Sequence, residues 1–562
     1  MLRKWLIKKN KQPEEFKLKE VSDRDIRRIV KKLKGGNTQG PDQIPSSVVK
    51  LTAPVIEDAI KHTVNRSIQE AKFPDVWKDQ EVFPNYKKGS KTDKDNYRPV
   101  NHINEYAKIG EYAVFEQLVE HHTKNDIFHT AHHGAIPNMS PHTAIHTVLD
   151  KLMQKIDKGE IAALTLLDQR SAFDLIDHEI LLEKMKLYNY HEETIKWFRS
   201  YLKDRKLKTK VRNMSSKEER MQPYGTTQGS VLGAILFIIY VNDFPAEREE
   251  SDTTCYVDDN ADITSERDLD KEKEKTQSEA IHSHEWLKAN GLALSPEKTK
   301  LMIMTTKEKK NIIGDKKTEI QMDRNNIQNT QSEKYLGMII SDTLSWKEHL
   351  YGEKWRNDEE NNQGLIPALI KRLGIIKKLA RHTNKHNLKI FIEGILMSKM
   401  RYSLPIIMNI WNKELYREKE RKYQAFTKKD LQRLQTIQNT ALRLVTGKKE
   451  RNTPTRDLLK ETDALSVHQM GAEAILNEAK KVLISGKPKY LREALQIEEN
   501  RKGEKKIKKR KNKLNLTDEG FVQKATLLLN QIPPEMLAEE EMKRFKKMSK
   551  EWVKSNINPK PY

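Results

Sequence analysis

The stretch CYVDDNADI, residues 255–263, sets Asp258 and Asp259 side by side just after three residues that favour a strand. Neighbouring carboxylates repel, so a fold that packs them against a sheet must supply counter-charge, and a metal ion is one source. A solvated hairpin turn is the plainer alternative. Upstream, IAALTLLD (residues 161–168) is a near-continuous apolar run that ends in a third acid, Asp168. That pattern suits a buried central strand whose C-terminal end opens on a cleft. If the two strands are neighbours in one sheet, the three carboxylates meet at one edge and form an oxygen-rich site suited to Mg²⁺. Two such ions, roughly 4 Å apart, activate an attacking hydroxyl and stabilise the leaving oxygen of an in-line phosphoryl displacement. Strand alternation points Tyr256 and Asp258 to one face and Val257 and Asp259 to the other until the turn bends the chain. Asp258 is then the better primary ligand, with Asp259 within reach of a second ion. Spacing alone leaves the turn and the metal site both open, because 81 acids offer many accidental pairs.

Composition narrows the partner. The chain has 562 residues, more than one core of roughly 250–300 residues holds, so several subdomains are expected. Lys and Arg number 104 against 81 acids, a net charge of +23, and such a field attracts polyanions, nucleic acid first among them. The single cysteine, Cys255, excludes an internal disulfide and a cysteine-based zinc site, and is consistent with a reducing compartment. The opening MLRKWLIKKNKQPEEFK has too short an apolar run for a signal peptide, and no window approaches the roughly 20 apolar residues of a membrane span. A soluble, intracellular chain with no membrane partner is expected.

Working outward, VSDRDIRRIVKKL reads as a basic amphipathic helix capped by Ser22, with Ile26, Ile29 and Val30 on one face. It stops at the turn cluster KGGNTQGPDQIP, which lacks the GxxxxGK[ST] pattern of a phosphate-cradling loop. A helix follows over residues 56–71. FPNYKKGSKTDKDNYRPV reads as an extended basic hairpin, HEILLEKMKLY as a helix, and GSVLGAILFIIYVNDF as a buried helix. After the opening hairpin comes a helix through residues 285–289. The order β, α, α, β-hairpin, α implies a mixed sheet backed by helices, hence an α+β class. Beyond Leu365 the pattern is helical and basic, with an apolar stripe of Leu431, Leu434, Ile437, Ala441 and Leu444. RKGEKKIKKRKNK, residues 501–513, reads as a solvated basic linker.

In chain order, LLDQRSAFDLIDHEIL, YGTTQGSVLGAILFIIYVNDFP, CYVDD, NGLALSPEKTKLMIM and EKYLGMIISDTLSWKEHL resemble the successive motifs of reverse transcriptases of non-LTR (LINE-type) retrotransposons. KKGSKTDKDNYRPV is similar to that family's fingers motif, and GPDQIPSSVVK to the block before it. The resemblance runs from about Asp25 to Met470. It implies a right-hand polymerase: an N-terminal extension (1–24), fingers (25–150), a palm with a mixed β-sheet (151–310), a primer-grip-like hairpin region (311–350), a helical thumb (351–480) and a helical basic C-terminal extension (481–562). It implies that the chain adds dNTPs to a primer 3′-hydroxyl on an RNA template, the DNA primer being separate or a nicked target DNA. Mg²⁺ is the implied cofactor, with Mn²⁺ as substitute.

Carried over by residue, Asp168 is the first metal-ligand acid, and Asp258 and Asp259 complete the YxDD box. Phe173 stands where the family places its steric gate, under the sugar. Gln228 and Gly229 match the motif beneath template and nucleotide. Arg98, with Lys87 or Lys88, matches the clamp on the triphosphate, a task suited to a planar guanidinium and a point charge. Lys298 matches a lysine expected to act as general acid toward pyrophosphate. Tyr335, Leu336 and Gly337 fall in the primer grip.

The chain departs from the pattern in places. Thr227 stands where the family has a proline, Ile136 and Met139 stand where it has arginines, and Asp262 reads as an extra, solvated turn residue. No segment resembles an endonuclease or RNase H, so the chain reads as a polymerase portion, either a truncated open reading frame or one whose endonuclease is supplied elsewhere. A ribonucleoprotein shared between nucleus and cytoplasm follows as the expected location. A retroelement-derived RNA binder that no longer polymerises is the alternative.

Overall fold

The apolar run that ends at Asp168 forms the long strand Ile161–Arg170. In the computed structural model it lies inside an antiparallel sheet ordered Lys300–Met304, Ile161–Arg170, Asp259–Glu266, Asp252–Tyr256. Residues 2–8, 13–87, 89–212, 214–216, 220–221, 223–248, 250–313, 318–322, 325–352, 364–410, 425–448, 450, 453–499, 505–514 and 516–559 are described. Alternation along the strand explains why the run is apolar throughout. Ile161, Ala163 and Leu167 enter one core with the helix Gly233–Val241, while Ala162 and Leu164 enter a second core with the helix Pro141–Asp157. A strand covered on both faces has no solvent side on which to place polar residues. The helix Gly233–Val241 is likewise apolar on every face and buried nearly throughout, as a helix inside a core must be.

A second sheet begins with the expected basic hairpin, Asp79–Tyr86 paired with Tyr97–His102 from Glu81 opposite His102 to Tyr86 opposite Tyr97. It gains a parallel strand, Lys206–Val211, that the local pattern does not announce. The amphipathic helix is Asp23–Lys32, started by a capping box between Ser22 and Asp25. The helix expected from residue 56 begins earlier and runs Ser46–Gln69 with a break at Ile56. Pro54 lies just before that break and cannot donate to the helix ladder, which is why periodicity sees only the second half.

The C-terminal region is helical. In Lys428–Thr446, Leu431, Leu434, Ile437 and Ala441 are buried and Leu444 packs at the edge, and Gly447, at φ +75°, ends the helix. The helices Val467–Ser485, Phe521–Leu529 and Met542–Asn556 share a third core.

The reading of residues 501–513 as a solvated linker is corrected over its described part; 501–504 lie outside the described residues. Lys505–Ile507 pairs with Ile497–Glu499, and Ile507 is buried. Arg510 Nη1 lies 2.9 Å from Asp150 Oδ2, and the Lys513 and Leu514 N–H groups donate to Asp157 Oδ1 at 3.0 and 2.7 Å. Asp150 and Asp157 of the helix Pro141–Asp157, with Glu498 2.8 Å from Lys508 Nζ, supply counter-charge to the run. Among the described residues no helix is long and apolar enough to cross a membrane.

Candidate active-site cleft

The opening hairpin is tight. Tyr256 pairs with Asp259, so Val257 and Asp258 are its two turn residues. Val257 has φ +60°, the conformation a two-residue hairpin turn reserves for Gly or Asn. A β-branched residue there stores roughly 1–3 kcal/mol and persists only where its surroundings hold it. They do so here. The Cys255 N–H donates to the Ala131 carbonyl and the His133 N–H to the Cys255 carbonyl, both at 2.8 Å. Gly134 is bare where Val257 presses in, since a Cβ on it would lie 2.4 Å from Val257 Cγ2.

On the neighbouring strand Asp168 pairs directly with Asp259. The alternation argument for Asp258 as primary ligand therefore does not carry, because the turn begins at Val257. Asp259 stands across from Asp168, and Asp258 reaches in from the turn. All three acids line one cleft of about 590 Å³. Burial raises the Asp258 carboxyl above its ordinary range, and the Asp168 charge adds to this. Asp259 is pushed up to about 6, by burial first and then by Asp258 and Asp168. Arg98 and Lys87 pull both back down, and Lys298 Nζ lies 3.6 Å from Asp168 Oδ2. Among the described residues no three acids, histidines or cysteines are drawn together around one ion position. The fit to a divalent cation rests on donor chemistry: three oxygen donors on one cleft edge whose mutual repulsion a hard cation relieves.

The facing walls carry the other expected residues. Lys87 and Arg98, from the basic hairpin, line the same cleft with Phe173, Gln228, Gly229 and Lys298; Lys88 lies outside the described residues. The Phe173 ring stacks on buried Phe237 with centroids 4.9 Å apart. Gln228 Nε2 donates to Asp174 Oδ1 at 2.9 Å, and the Asn101 N–H donates to the Gln228 carbonyl at 2.8 Å. Gly229, at φ +119°, passes so close to Asn101 that a Cβ would sit 2.6 Å from its carbonyl oxygen. That contact stitches the loop to the strand Tyr97–His102 and brings Arg98 to the carboxylates. Asp174, next to Phe173, also lines the cleft.

With the acids, the cations and the glycine loop on one cleft, comparison with known proteins is informative. Residues 86–340 match the family described as reverse transcriptase (RNA-dependent DNA polymerase), an interval that contains every residue lining the cleft. That stretch of the chain is similar to reverse transcriptases. It is 23% identical over 341 residues to a probable RNA-directed DNA polymerase from transposon BS of Drosophila melanogaster, covering 59% of this chain and 37% of that protein. The RNA-directed DNA polymerase from mobile element jockey of the same species is 22% identical over 341 residues, 59% of this chain and 36% of that one. A probable polymerase from transposon X-element, also of D. melanogaster, is 21% identical over 428 residues, 75% of this chain and 44% of its own. The chain thus spans less than half the length of the relatives it matches.

Of the other expected positions, Thr227 also lines the cleft and the rest lie off it. Leu336 and Gly337, at φ +45° and +83°, turn the hairpin Ser332–Tyr335 to Met338–Ser341, and Tyr402 Oη donates to the Leu336 carbonyl at 2.5 Å. Tyr335 points into the core and is 3% exposed. Ile136 is buried and Met139 packs beside it in the same core, so these positions are apolar packing. Thr227 is buried, its Oγ1 without a hydrogen-bond partner among the described residues.

Asp262 is not a solvated turn residue. It is buried on the strand Asp259–Glu266, accepts from Thr253 Oγ1 at 2.7 Å, and lies 3.2 Å from Arg248 Nη2. A cation brought in from outside the hairpin makes that burial tolerable.

Proposed function

We propose that this chain is an RNA-directed DNA polymerase of the non-LTR retrotransposon class, extending a primer 3′-hydroxyl with dNTPs along an RNA template. The observation that carries the reading is the cleft itself. The carboxylates of Asp168 and Asp259, from two paired strands, and of Asp258, from the adjoining turn, face Lys87 and Arg98 across a space lined by Phe173 and the Gly229 loop. Arg98 and Lys87 are suited to hold the triphosphate, Phe173 to lie under the sugar, and Gln228 with Gly229 to support the base pair. Lys298, beside Asp168, is placed to hold a proton near the departing pyrophosphate. Asp168, Asp258 and Asp259 would hold divalent cations, Mg²⁺ or Mn²⁺. When bound, these lower the pKa of the attacking hydroxyl and neutralise charge on the phosphoryl oxygens.

On this reading residues 1–24 are an N-terminal extension, 25–150 fingers, 151–310 palm, 311–350 a primer-grip-like hairpin region, 351–480 a helical thumb, and 481–562 a helical basic extension. The partners are an RNA template and a DNA primer or nicked target, in a ribonucleoprotein that works in nucleus and cytoplasm. The test is extension of oligo(dT) on poly(rA) with Mg²⁺ or Mn²⁺. The unmodified chain should extend the primer, and Asp258→Asn should reduce incorporation at least a hundredfold while RNA binding persists. RNA binding without extension in the unmodified chain would instead select the non-polymerising RNA binder.

A further inference from the structure

The helix Gly233–Val241 enters the core with no charged residue, and its N-cap, Leu232, offers no side-chain cap. The first N–H groups of a helix have no partner within it, and in a dry core water cannot supply one. Glu111 supplies it. This residue of the helix Glu105–Lys124 is fully buried, yet its Oε2 accepts the Val231 N–H at 2.6 Å and, less closely, the Leu232 N–H at 3.4 Å. Its Oε1 accepts Tyr201 Oη at 3.0 Å. Arg205, also buried, donates Nη1 to the Tyr201 carbonyl at 3.0 Å and lies over the Tyr201 ring, 4.7 Å from its centroid.

Burial pushes the Glu111 carboxyl pKa up, and the Arg205 charge is the largest influence opposing it. Ser230 Oγ accepts the Gly233 N–H at 2.8 Å, so the residues that join cleft wall to helix are held from two sides. Gln228, Gly229 and Ser230 line the cleft. Glu111 does not, and nothing in its own helix pattern calls for a buried acid.

We propose that Glu111 is a positioning residue of the cleft: its buried carboxylate anchors the backbone at Val231 and Leu232 and thereby sets the wall formed by Gln228, Gly229 and Ser230. The consequence for nucleotide alignment rests on the polymerase reading above; the anchoring itself does not. Glu111→Gln keeps the volume and one carbonyl acceptor but loses the charge and the second acceptor. Tyr201→Phe removes only the hydroxyl that donates to Oε1, and serves if the first variant folds poorly.

Amide hydrogen exchange by mass spectrometry and single-nucleotide incorporation kinetics are measured on both variants in the full chain. In Glu111→Gln, peptides covering residues 225–236 should exchange about tenfold faster, the scale on which a hydrogen bond to a charged acceptor exceeds one to a neutral acceptor. Peptides from the helix Glu105–Lys124 and the strand Ile161–Arg170 should be unchanged. The KM for dNTP should rise about tenfold with kcat within about twofold, and Tyr201→Phe should move both readouts the same way by less. Unchanged exchange at residues 225–236 overturns the proposal. So does faster exchange spread evenly over the chain with KM unchanged, which is what loss of stability alone produces. If the unmodified chain does not polymerise, the functional reading falls and the exchange measurement alone decides the anchoring.

Discussion

Asp259→Asn should make the cation-free protein more stable at neutral pH while abolishing its chemistry. Asp259 stands opposite Asp168 and next to Asp258, and its pKa is raised from 3.8 to about 6. A raised carboxyl pKa means that, between those values, the folded chain holds a proton the unfolded chain has released. Stability therefore falls as pH rises through about 4 to 6 and stays lowered above that window. Taken at face value, the shift costs about 3 kcal/mol at pH 7. Solvent reaches Asp259 through the cleft mouth, and that screening brings the expected cost to about 1 kcal/mol.

The comparison is a pair of thermal melts, parent and variant, from pH 4 to 8 in chelator. The curves should meet near pH 4, and the variant should melt higher by about 2 °C at pH 7 to 8. Adding Mg²⁺ should stabilise the parent more than the variant, since ligand binding to the folded state raises its apparent stability. A variant that melts lower than its parent at pH 8 without cation would refute the reasoning. Asp259 would then be making a net favourable contact, and the carboxylates would not form a repelling set waiting for positive charge.

Two further outcomes follow from the same geometry. Phe173→Val removes the ring that faces the cleft and leaves Asp168, Asp258 and Asp259 in place, so the kcat/KM ratio of dNTP to rNTP should fall at least about tenfold. Retained activity with the same ratio would reduce Phe173 to a packing partner of Phe237. Arg510→Ala leaves buried Asp150 without its closest cation and should cost about 2 kcal/mol of stability in thermal melts. It should leave the slope of log K for RNA against log salt unaltered, whereas a residue that contacts phosphates would make the slope shallower.

The parts of this chain that were legible in the sequence share one physical property: their structural role is decided within a few residues. IAALTLLD is apolar throughout because both faces of its strand are covered, and the stripe from Leu431 to Ala441 repeats with the helix period because one face of that helix is covered. Asp258 and Asp259 drew attention because adjacent acids after a strand need an explanation wherever they fold. What failed was the fate of charges judged from their neighbours. The run 501–513 carries a single acid, Glu504, among its bases, yet Arg510 meets Asp150 across a separation of 360 residues. Asp262, three residues beyond Asp259, reads as more of the same turn, but a cation from outside the hairpin, Arg248, buries it. Glu111, separated from Val231 by 120 residues, carried no local signal at all. The same distinction separates scaffold from site. Acids that meet a cation or several donors, such as Asp150, Asp262 and Glu111, hold elements together. Beyond burial, Asp168 raises the pKa of both Asp258 and Asp259, and Asp258 raises that of Asp259 further, so the set retains a demand for positive charge that folding has not met. An unmet demand of that kind costs stability in the free protein and is useful only to something that binds, which is why the cleft rather than the better-paired interior is where the chemistry belongs.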